Sequence, residues 1–476
     1  MKIYSTIVCR GTERMGMLEI ADSNSLNNKL KGIVSAASSK IPVVGGAIKV
    51  LLETIWPTKK VSIWESLKDQ VSRLVDEKIL QKELEERKSE LDGLKSSMES
   101  YLNAKPSEQG VWLGAMLTNA NTIFKKLTSS SNRIHLLPLI VIHAHLHLIL
   151  LRERLLFGQE IFKEDNRGEW EKDLISTYNN YNKYFQSSTL FYDWRKWRED
   201  QISYKSWVER DWYTAFVTAS TFGELSDQLN SAAHVKFQAD YVDGDTYYNK
   251  GLRAIRDNIV NQAYADLLKV VEPIFYLGKL IPGRETEPPH VDFHFGKLWL
   301  GPQSMFIYDK QKKGYHTSSG RLGLVETENN GDLPGRIKQV YVYVKETVCG
   351  LKFIFDDNGV KREGSLLGTK NDCRPHLINI PEDSYIIGVT TDICDGVLTS
   401  IQFHYLNGES SDIIGNTSKT QYKNIATIHN DNYMLVNAQV GSYWKYTSGI
   451  EAIQFQFAHI DYDLQDESDP NLVLHE

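Results

Sequence analysis

The order of apolar and polar positions divides the chain into two parts. From residue 25 to about residue 280, apolar residues recur at three- and four-residue steps, which is the spacing of one face of a helix. From residue 290 to 476 they alternate with polar residues in short runs, as in β-strands. The pattern predicts an N-terminal segment at 1–29, an α-helical domain at 30–280, a proline-rich linker at 281–289 and a β domain at 290–476.

The helical part divides into separate helices. Pro42 and the pair Gly45–Gly46 are expected to split the block 26–56 into two short helices. An amphipathic stripe at 63–101 fits one long helix or two consecutive helices equally well. Further helices are predicted near 112–127, 170–192 and 253–275, whereas residues 193–245 follow no clear pattern.

One segment differs in kind from the other helices. The eighteen residues from Ile134 to Leu151 carry no charged side chain, and Leu, Ile and Val lie around the whole helical circumference. A helix that is apolar on all sides belongs in the centre of a bundle or in a membrane. At about 1.5 Å per residue it spans about 27 Å, close to the thickness of a bilayer core. No stretch of the chain reaches the ~20 apolar residues of an ordinary membrane span.

Four histidines interrupt this segment: His135, His143, His145 and His147. His143 and His147 lie one helical turn apart and could share a metal ion, but no Asp, Glu or Cys lies nearby in sequence, so we predict no metal site. Two other interpretations stay open. The histidines are hydrogen-bonded to neighbouring helices in the interior, or they have a pH-dependent role, because protonation would loosen the packing around them.

The β part contains an internal repeat. Asn358–Gly359 and Asn407–Gly408 are each flanked by alternating apolar runs and lie 49 residues apart, and Asn-Gly between such runs predicts a hairpin. A third, looser copy occupies residues 433–457. Three copies of a hairpin-based sheet predict a threefold all-β prism. The turn residues are expected to be structural, and loops beside them could contact a receptor.

Composition and motifs exclude several classes of protein. Lys and Arg number 54 against 61 Asp and Glu, a net charge of −7 that argues against nucleic acid as the main partner. Nucleotide-binding glycine motifs, HExxH and GxSxG are absent, so we predict no enzyme and no cofactor. The four cysteines show no CxxC spacing and suit synthesis in a reducing cytoplasm. We read them as small thiols and leave open a pairing of Cys373 with Cys394.

The helical part resembles the pore-forming first domain of the three-domain Cry delta-endotoxins. Ile41-Pro-Val-Val-Gly-Gly-Ala with Ile55-Trp-Pro57 looks like the first two helices of that domain. The stretch from Leu136 to Gly158, with its His-Ala-His-Leu-His core, looks like the central helix and is the most specific match. The resemblance covers about residues 30–190 and 245–457 and departs from the family spacing between 190 and 245.

The chain stops after one β domain, where three-domain toxins continue. This layout is similar to the PirB component of binary Pir toxins, in which a small separate protein, PirA, supplies the missing domain. The repeat also resembles jacalin-type lectins, whose sugar site needs Gly-x-x-x-Asp. The matching stretch runs from Thr447 to Glu451, so that both signature residues are replaced. The resemblance implies a multidomain α and β fold, with an N-terminal Cry-like α-helical bundle around a central apolar helix and a C-terminal antiparallel β-prism-like domain.

The resemblance also implies a function. It suggests an insecticidal pore-forming toxin without enzymatic activity, in which the β domain binds a glycan or glycoprotein receptor and helices of the bundle insert into the target membrane. It further implies a PirA-like partner, an oligomer in the membrane, and synthesis in a bacterial cytoplasm without a signal peptide, followed by release or secretion to act at the host cell membrane. The alternative is a lectin-like binding protein with a helical scaffold.

The residues expected to carry this function fall into three groups. Membrane insertion is assigned to Leu136, Leu139, Ile140, Ile142, Leu146, Leu148, Ile149 and Leu150. The central helix and the helix before it are expected to insert as a hairpin. The tip of this hairpin is assigned to Ser129, Ser130, Ser131 and Asn132. Receptor or glycan contact is assigned to Asn358, Asn407, Thr447 and Glu451.

Overall fold

The structure is a computed structural model with two compact units. It describes residues 21–38, 43–56, 77–211, 218–229, 235–239, 245–287, 297–300, 306–309, 314–317, 326–329, 335–394, 397–417, 422–427, 432–442, 449–450 and 452–460. The helical unit comprises Glu19–Trp197 and Leu267–His294, and the β-rich unit comprises Arg198–Asp266 and Phe295–Glu476. These limits interleave along the chain, and the simpler limits 30–280 and 290–476 remain a prediction.

Eight described α-helices and one 3₁₀ helix account for the helical segments. They are α1 Ala21–Ser38, α2 Gly46–Ile55, α3 Glu77–Asn103, α4 Gln109–Ser129, α5 Leu137–Phe162, α6 Arg167–Phe185, α7 Ser188–Asp200, α8 Asp245–Val271 and the 3₁₀ helix Glu272–Leu280. The first part of the amphipathic stripe at 63–101, up to residue 76, lies outside the described residues, and the rest forms α3.

The predicted break in the first block is confirmed, because α1 and α2 are separate helices. Gly45 precedes α2 with a φ of 79°, a left-handed conformation that glycine adopts without a steric penalty. A Cβ atom at this position would lie 2.6 Å from Cδ2 of Leu102, so a side chain is excluded on a second ground. Gly45 thereby sets both the start of α2 and its close approach to α3.

Helix α5 is the core of the helical unit. Twenty of its 26 residues are buried, and they cover its whole circumference. It packs against α1, α2, α4, α6 and the 3₁₀ helix. The eight residues assigned to membrane insertion are all at most 1% exposed. The expectation of a central apolar helix inside a bundle is therefore confirmed.

The α5–α6 contact depends on a glycine. A Cβ atom at Gly158 would overlap three carbons of the Trp170 ring. We expect Gly158→Ala to lower the free energy of unfolding by about 1–3 kcal/mol, the usual cost of overpacking a core. Gly114→Ala is the control, because Gly114 in α4 has open space at that position and the change should gain up to about 1 kcal/mol of helix propensity. Urea unfolding of both variants checks this, and equal stabilities would contradict the close contact.

Residues 202–239 correct the prediction of a helical chain from 25 to 280. They contain an antiparallel sheet of three strands in the order β1-β2-β3, with β1 Ile202–Asp211, β2 Thr218–Asp227 and β3 Val235–Ala239. From Ile202 to Val208, burial alternates at every second residue. In the sequence, Lys205 and the surrounding tryptophans obscure this two-residue alternation of apolar and polar positions, so a strand was not predicted.

The β-rich unit contains three further sheets built on the predicted repeat. Their orders are β10-β9-β8-β12 with β11 beside β9, then β15-β14-β13-β16, then β4-β18-β17-β7. A separate pair joins β5 Phe306–Asp309 and β6 Gly314–Thr317. The strands of the three sheets are β4 Lys297–Leu300, β7 Glu326–Asn329, β8 Arg336–Val344, β9 Val348–Asp357, β10 Val360–Glu363, β11 Leu367–Gly368, β12 Arg374–Asn379, β13 Ile386–Cys394, β14 Val397–Tyr405, β15 Ile414–Gly415, β16 Tyr422–Thr427, β17 Tyr433–Ser442 and β18 Ala452–His459.

The repeat is visible in the register of the three central hairpins. Val340 pairs with Phe353, Val389 with Phe403 and Ala438 with Phe455, and the first members of these pairs are spaced by 49 residues. All three phenylalanines are fully buried, and strands of each sheet contact strands of the other two. The predicted three-sheet prism is therefore confirmed, with a core formed by equivalent residues of the three copies.

Candidate functional site

Helices α4 and α5 form an antiparallel hairpin with unusually few charges. Between residues 109 and 151 the only charged side chains are Lys125, Lys126 and Arg133. All three lie near the connection between the two helices. The uncharged stretches on either side are of similar length, 109–124 in α4 and 134–151 in and before α5. The hairpin therefore has two uncharged arms and a basic tip.

Polar side chains of other helices hold this tip. Glu83 of α3 accepts a hydrogen bond from the Ser130 hydroxyl at 2.7 Å and from the Asn132 amide group at 2.8 Å. Arg133 forms an ion pair of 3.1 Å with Asp193 of α7. Of the four residues assigned to the tip, Ser129 ends α4 and the other three form the turn that follows it. The tip is thus fastened to two helices outside the hairpin.

Three histidines of α5 lie in the dry centre of the bundle. His143, His145 and His147 are all 0% exposed. His143 donates through Nε2 to the Ala120 carbonyl of α4 at 2.9 Å, and His147 lies 3.1 Å through Nδ1 from the Tyr181 hydroxyl of α6. His145 lies 2.7 Å through Nδ1 from the Val141 carbonyl of its own helix. The interpretation of interior histidines bonded to neighbouring helices therefore fits His143 and His147.

Each of these histidines keeps one ring nitrogen without a hydrogen-bond partner. The atoms are Nδ1 of His143 and Nε2 of the other two. Burial lowers the pKa of His143 and His145 to about 4, and it lowers the pKa of His147 to about 3 with help from the charges of His143 and Arg154. All three are therefore neutral at pH 7, because a positive charge on a buried ring is unfavourable.

The uncharged run of α5 ends at Arg152, which is 3% exposed. Its guanidinium donates to the carbonyls of Ala37 and Ser38 at the end of α1, and to that of Leu280 at the end of the 3₁₀ helix. It also forms an ion pair of 3.5 Å with Glu285. The last carbonyls of a helix have no partner within the helix, so one cation satisfies two helix ends together.

The next residue, Glu153, holds the opposite kind of helix end. Its Oε1 accepts from the backbone N–H of Gly45, which precedes α2, at 2.5 Å and from the Tyr101 hydroxyl of α3 at 2.9 Å. Burial raises the pKa of the Glu153 carboxyl, and the two hydrogen bonds partly offset this. The amino end of a helix favours a nearby anion. Arg152 and Glu153 therefore fasten α1, α2 and α3 to the central helix.

The described part of the chain contains no helix with the length and apolar content of a membrane-crossing helix. It also contains no group of three or more metal-ligating side chains, and His143 and His147 face Ala120 and Tyr181.

The predicted receptor-contact residues lie in the β-rich unit. Asn358 and Asn407 are exposed at the turns after β9 and β14, and the Asn358–Gly359 turn has positive φ at both residues, as a two-residue hairpin requires. Thr447 and Glu451 lie outside the described residues. Sequence reasoning did not single out Val360, which follows the first turn, or Ile413, which precedes β15; they are 56% and 44% exposed.

Sequence reasoning also missed the residues that fasten the hairpin. Glu83 and Asp193 belong to helices distant in sequence, so no local signal marks them. Arg152 and Glu153 carry a local signal, because they are the first charged pair after an eighteen-residue uncharged run. A buried charge must have partners, so this pair predicts contacts with helix ends.

Comparisons with known proteins fit this geometry. Residues 33–224 match the family model of the delta endotoxin N-terminal domain. The pesticidal crystal protein Cry8Ba of Bacillus thuringiensis serovar kumamotoensis is 26% identical over 191 residues, which are 36% of this chain and 16% of that protein. Cry7Aa of Bacillus thuringiensis is 26% identical over 222 residues, 41% of this chain and 18% of that protein. The match thus spans less than a fifth of either curated relative.

Solved structures extend the likeness to most of the chain. The insecticidal crystal protein Cry7Ca1 of Bacillus thuringiensis has a TM-score of 0.59 at 13% identity, covering 93% of this chain and 75% of that one. PirB has a TM-score of 0.56 at 14% identity, covering 91% of this chain and 94% of PirB. At these identities the structures establish the fold. By the sequence match of residues 33–224 and by its fold, this chain is similar to the Cry-like delta-endotoxins.

Proposed function

We propose that this chain is a pore-forming protein toxin whose α4–α5 hairpin enters the target membrane. The observation that carries the proposal is the position of charge in the hairpin. Its uncharged arms, 109–124 and 134–151, would be about 24 and 27 Å long as helices, close to the thickness of a bilayer core. Charged residues bound both arms at both ends, where they would lie at the two membrane surfaces.

The two arms are expected to have different surroundings in a pore. In the structure described above, before any insertion, the solvent-exposed face of α4 carries four polar uncharged residues, Thr118, Asn119, Asn121 and Thr122. Its inner face carries Leu113, Met116, Leu117 and Ile123, which pack in the bundle. In a membrane α5 would face lipid and the polar side of α4 would face water. Because one amphipathic helix cannot enclose a channel, the proposal includes an oligomer.

Storage of this hairpin in a soluble fold depends on the fastenings described above. Glu83 and Asp193 hold the tip, while Arg152 and Glu153 hold α1, α2 and α3 to α5. A hairpin with a buried apolar arm stays in place until these contacts break. Loss of α1 and α2 would uncover one side of α5 and is the step that we place first.

The β-rich unit is proposed to bind the target cell surface. Its exposed turns at Asn358 and Asn407 are proposed to contact a glycan or glycoprotein, and Val360 beside the first turn is 56% exposed. The match to PirB over nearly the whole of that protein supports a small PirA-like partner and a binary toxin. The expected targets are insect cells, since the relatives are named as pesticidal or insecticidal.

Release of a fluorescent dye from vesicles tests the proposal. Purified protein is added to phosphatidylcholine vesicles with a fraction of anionic lipid, between pH 5 and 9, with and without limited trypsin treatment. Dye release is expected under at least one of these conditions. Intact vesicles under all of them, together with retention on a glycan array, would favour the alternative of a lectin-like binding protein with a helical scaffold.

The ion selectivity of the pore provides a sharper test of the role of α4. We expect Thr122→Glu to raise the permeability ratio of K⁺ to Cl⁻ several-fold, because the new carboxylate would line the water-filled lumen. Thr122 is exposed in the stored fold, so folding should be unaffected. Ser176→Glu, an exposed site on α6, adds the same charge outside the hairpin. Reversal potentials in planar bilayers measure this ratio. An equal shift in both variants would contradict the assignment of α4 to the lumen.

A further inference from the structure

The β-rich unit brings two free cysteines together. Cys349 lies near the start of β9 and is 1% exposed, and Cys373 lies immediately before β12 and is partly exposed. The Cys373 thiol is an immediate neighbour of the Cys349 thiol. Each also donates to a carbonyl two residues earlier, Cys349 to Thr347 at 3.3 Å and Cys373 to Asn371 at 3.2 Å.

The backbone around the pair is fixed by the sheet. Strand β11 pairs with β9 beside Cys349, through Gly368 opposite Gly350. The N–H of Thr369 then donates to the Cys349 carbonyl at 2.9 Å. From there a tight turn leads to Cys373, whose N–H donates to the Lys370 carbonyl at 3.2 Å. Both ends of the segment between the two cysteines are therefore held in place.

We propose that Cys349 and Cys373 are a modification site at which a low-molecular-weight disulfide closes an intramolecular cross-link after the protein leaves the reducing cytoplasm. The closed ring would contain residues 349–373 and enclose most of β9 together with β10 and β11. This sheet also carries the exposed Asn358–Gly359 turn. The cross-link would therefore stabilise the sheet that presents one of the proposed receptor-contact turns.

The reaction has two exchange steps. The thiolate of Cys373, the more accessible residue, attacks one sulfur of the small disulfide, forms a mixed disulfide and expels one small thiolate. The sulfur of Cys349, on losing its proton, then displaces the second small thiolate, which takes up a proton. Two protein thiols are oxidised to one disulfide while one small disulfide is reduced to two small thiols.

The environment of Cys349 sets the order and the rate of these steps. Burial and the neighbouring Cys373 raise the pKa of the Cys349 thiol to about 12. Because the thiolate is the reacting species, Cys349 is a poor first nucleophile. The second step is therefore slower than the first, and a mixed disulfide on Cys373 accumulates transiently.

Oxidised glutathione and mass spectrometry test the proposal on the full chain. The expected sequence is a transient glutathione adduct on Cys373, followed by a product that has lost two hydrogens and yields a linked peptide pair containing Cys349 and Cys373. The Cys394→Ser variant is the control for the pairing considered from sequence, and the same cross-link should form in it. A stable adduct without closure, or a Cys373–Cys394 peptide, would overturn the proposal.

Thermal unfolding tests the consequence of closure. The oxidised protein is expected to unfold at a temperature higher by on the order of 5 °C than the reduced protein, because the ring restricts the unfolded chain. Cys373→Ser changes a partly exposed residue and should fold normally, and its unfolding temperature should not respond to oxidised glutathione. Equal temperatures for the oxidised and reduced wild type would show that the cross-link has no stabilising role.

Discussion

Acidification from pH 6.5 to pH 4 is expected to remove on the order of 10 kcal/mol from the stability of the helical unit. His143 and His145 hold a pKa of about 4 in the folded chain and His147 one of about 3, against 6.5 for an ordinary histidine. Between these values the unfolded chain is protonated while the folded chain is not, so stability falls as the pH falls. Each histidine contributes a loss on the order of 3 kcal/mol, and the total is comparable with the whole stability of a domain.

The other groups that face these histidines do not cancel the effect. The Ala120 carbonyl and then Glu90 of α3 raise the pKa of His143, whereas His143 and Arg154 lower that of His147. The contacts from α4 and α6 are the uncharged Ala120 carbonyl and Tyr181 hydroxyl. The low-dielectric surroundings therefore dominate. The contribution of the three histidines is expected to level off above pH 6.5, where they lose their protons in the unfolded chain as well.

Urea unfolding at a series of pH values measures this loss. A triple variant with His143, His145 and His147 all changed to Gln should lose much less stability between pH 6.5 and pH 4. His376→Gln is the control, because His376 is exposed on β12 and should leave the wild-type dependence unchanged. An equally steep loss in the triple variant would assign the acid response to other groups.

A cross-link between α3 and α4 is expected to reduce dye release at least tenfold. Lys126 of α4 forms an ion pair of 2.5 Å with Glu90 of α3, so cysteines at these two positions lie within reach of a short bifunctional maleimide. The link would hold the hairpin to α3, which lies outside it. Binding to target cells should persist, because the β-rich unit is unchanged.

Reversal of the lock controls for damage by the two substitutions. A linker that contains a reducible bond allows the same sample to be tested before and after reduction, and reduction should restore release. The single variants Glu90→Cys and Lys126→Cys are treated with the same reagent. They show the effect of modifying the native cysteines when the α3–α4 cross-link cannot form. Undiminished release by the fully linked protein would rule out insertion of the α4–α5 hairpin.

Much of the fold could be predicted from sequence because strong periodicity marks it. The run Ile134–Leu151, most of which lies in α5, has no charged residue, and outside a membrane such a segment has to be enclosed by others. The prism followed from the 49-residue repeat and from Asn358–Gly359, whose chemistry specifies a tight turn. In both cases the local pattern and the tertiary structure carry the same information.

The remainder depends on contacts between residues distant in sequence. Charged and aromatic residues in 202–227 follow neither the helical nor the strand spacing of apolar positions. The sheet β1-β2-β3 was therefore not predicted. The tip contacts of Glu83 and Asp193 arise only when α3 and α7 are placed beside the hairpin. Likewise, Cys349 and Cys373 lie on or beside strands of one sheet in which β8 separates β9 from β12, so no local pattern marks them as neighbours.

The interleaving of the two units has a consequence for cleavage of the backbone. The chain enters the β-rich unit within α7, leaves it within α8 and enters it again after His294. A cut after Arg284 therefore leaves residues 198–266 on one fragment and residues 295–476 of the same folded unit on the other. Strand β3 on the first fragment packs against β6 on the second. Cleavage at this joint does not release a domain but converts the protein into two chains that complement each other within one fold.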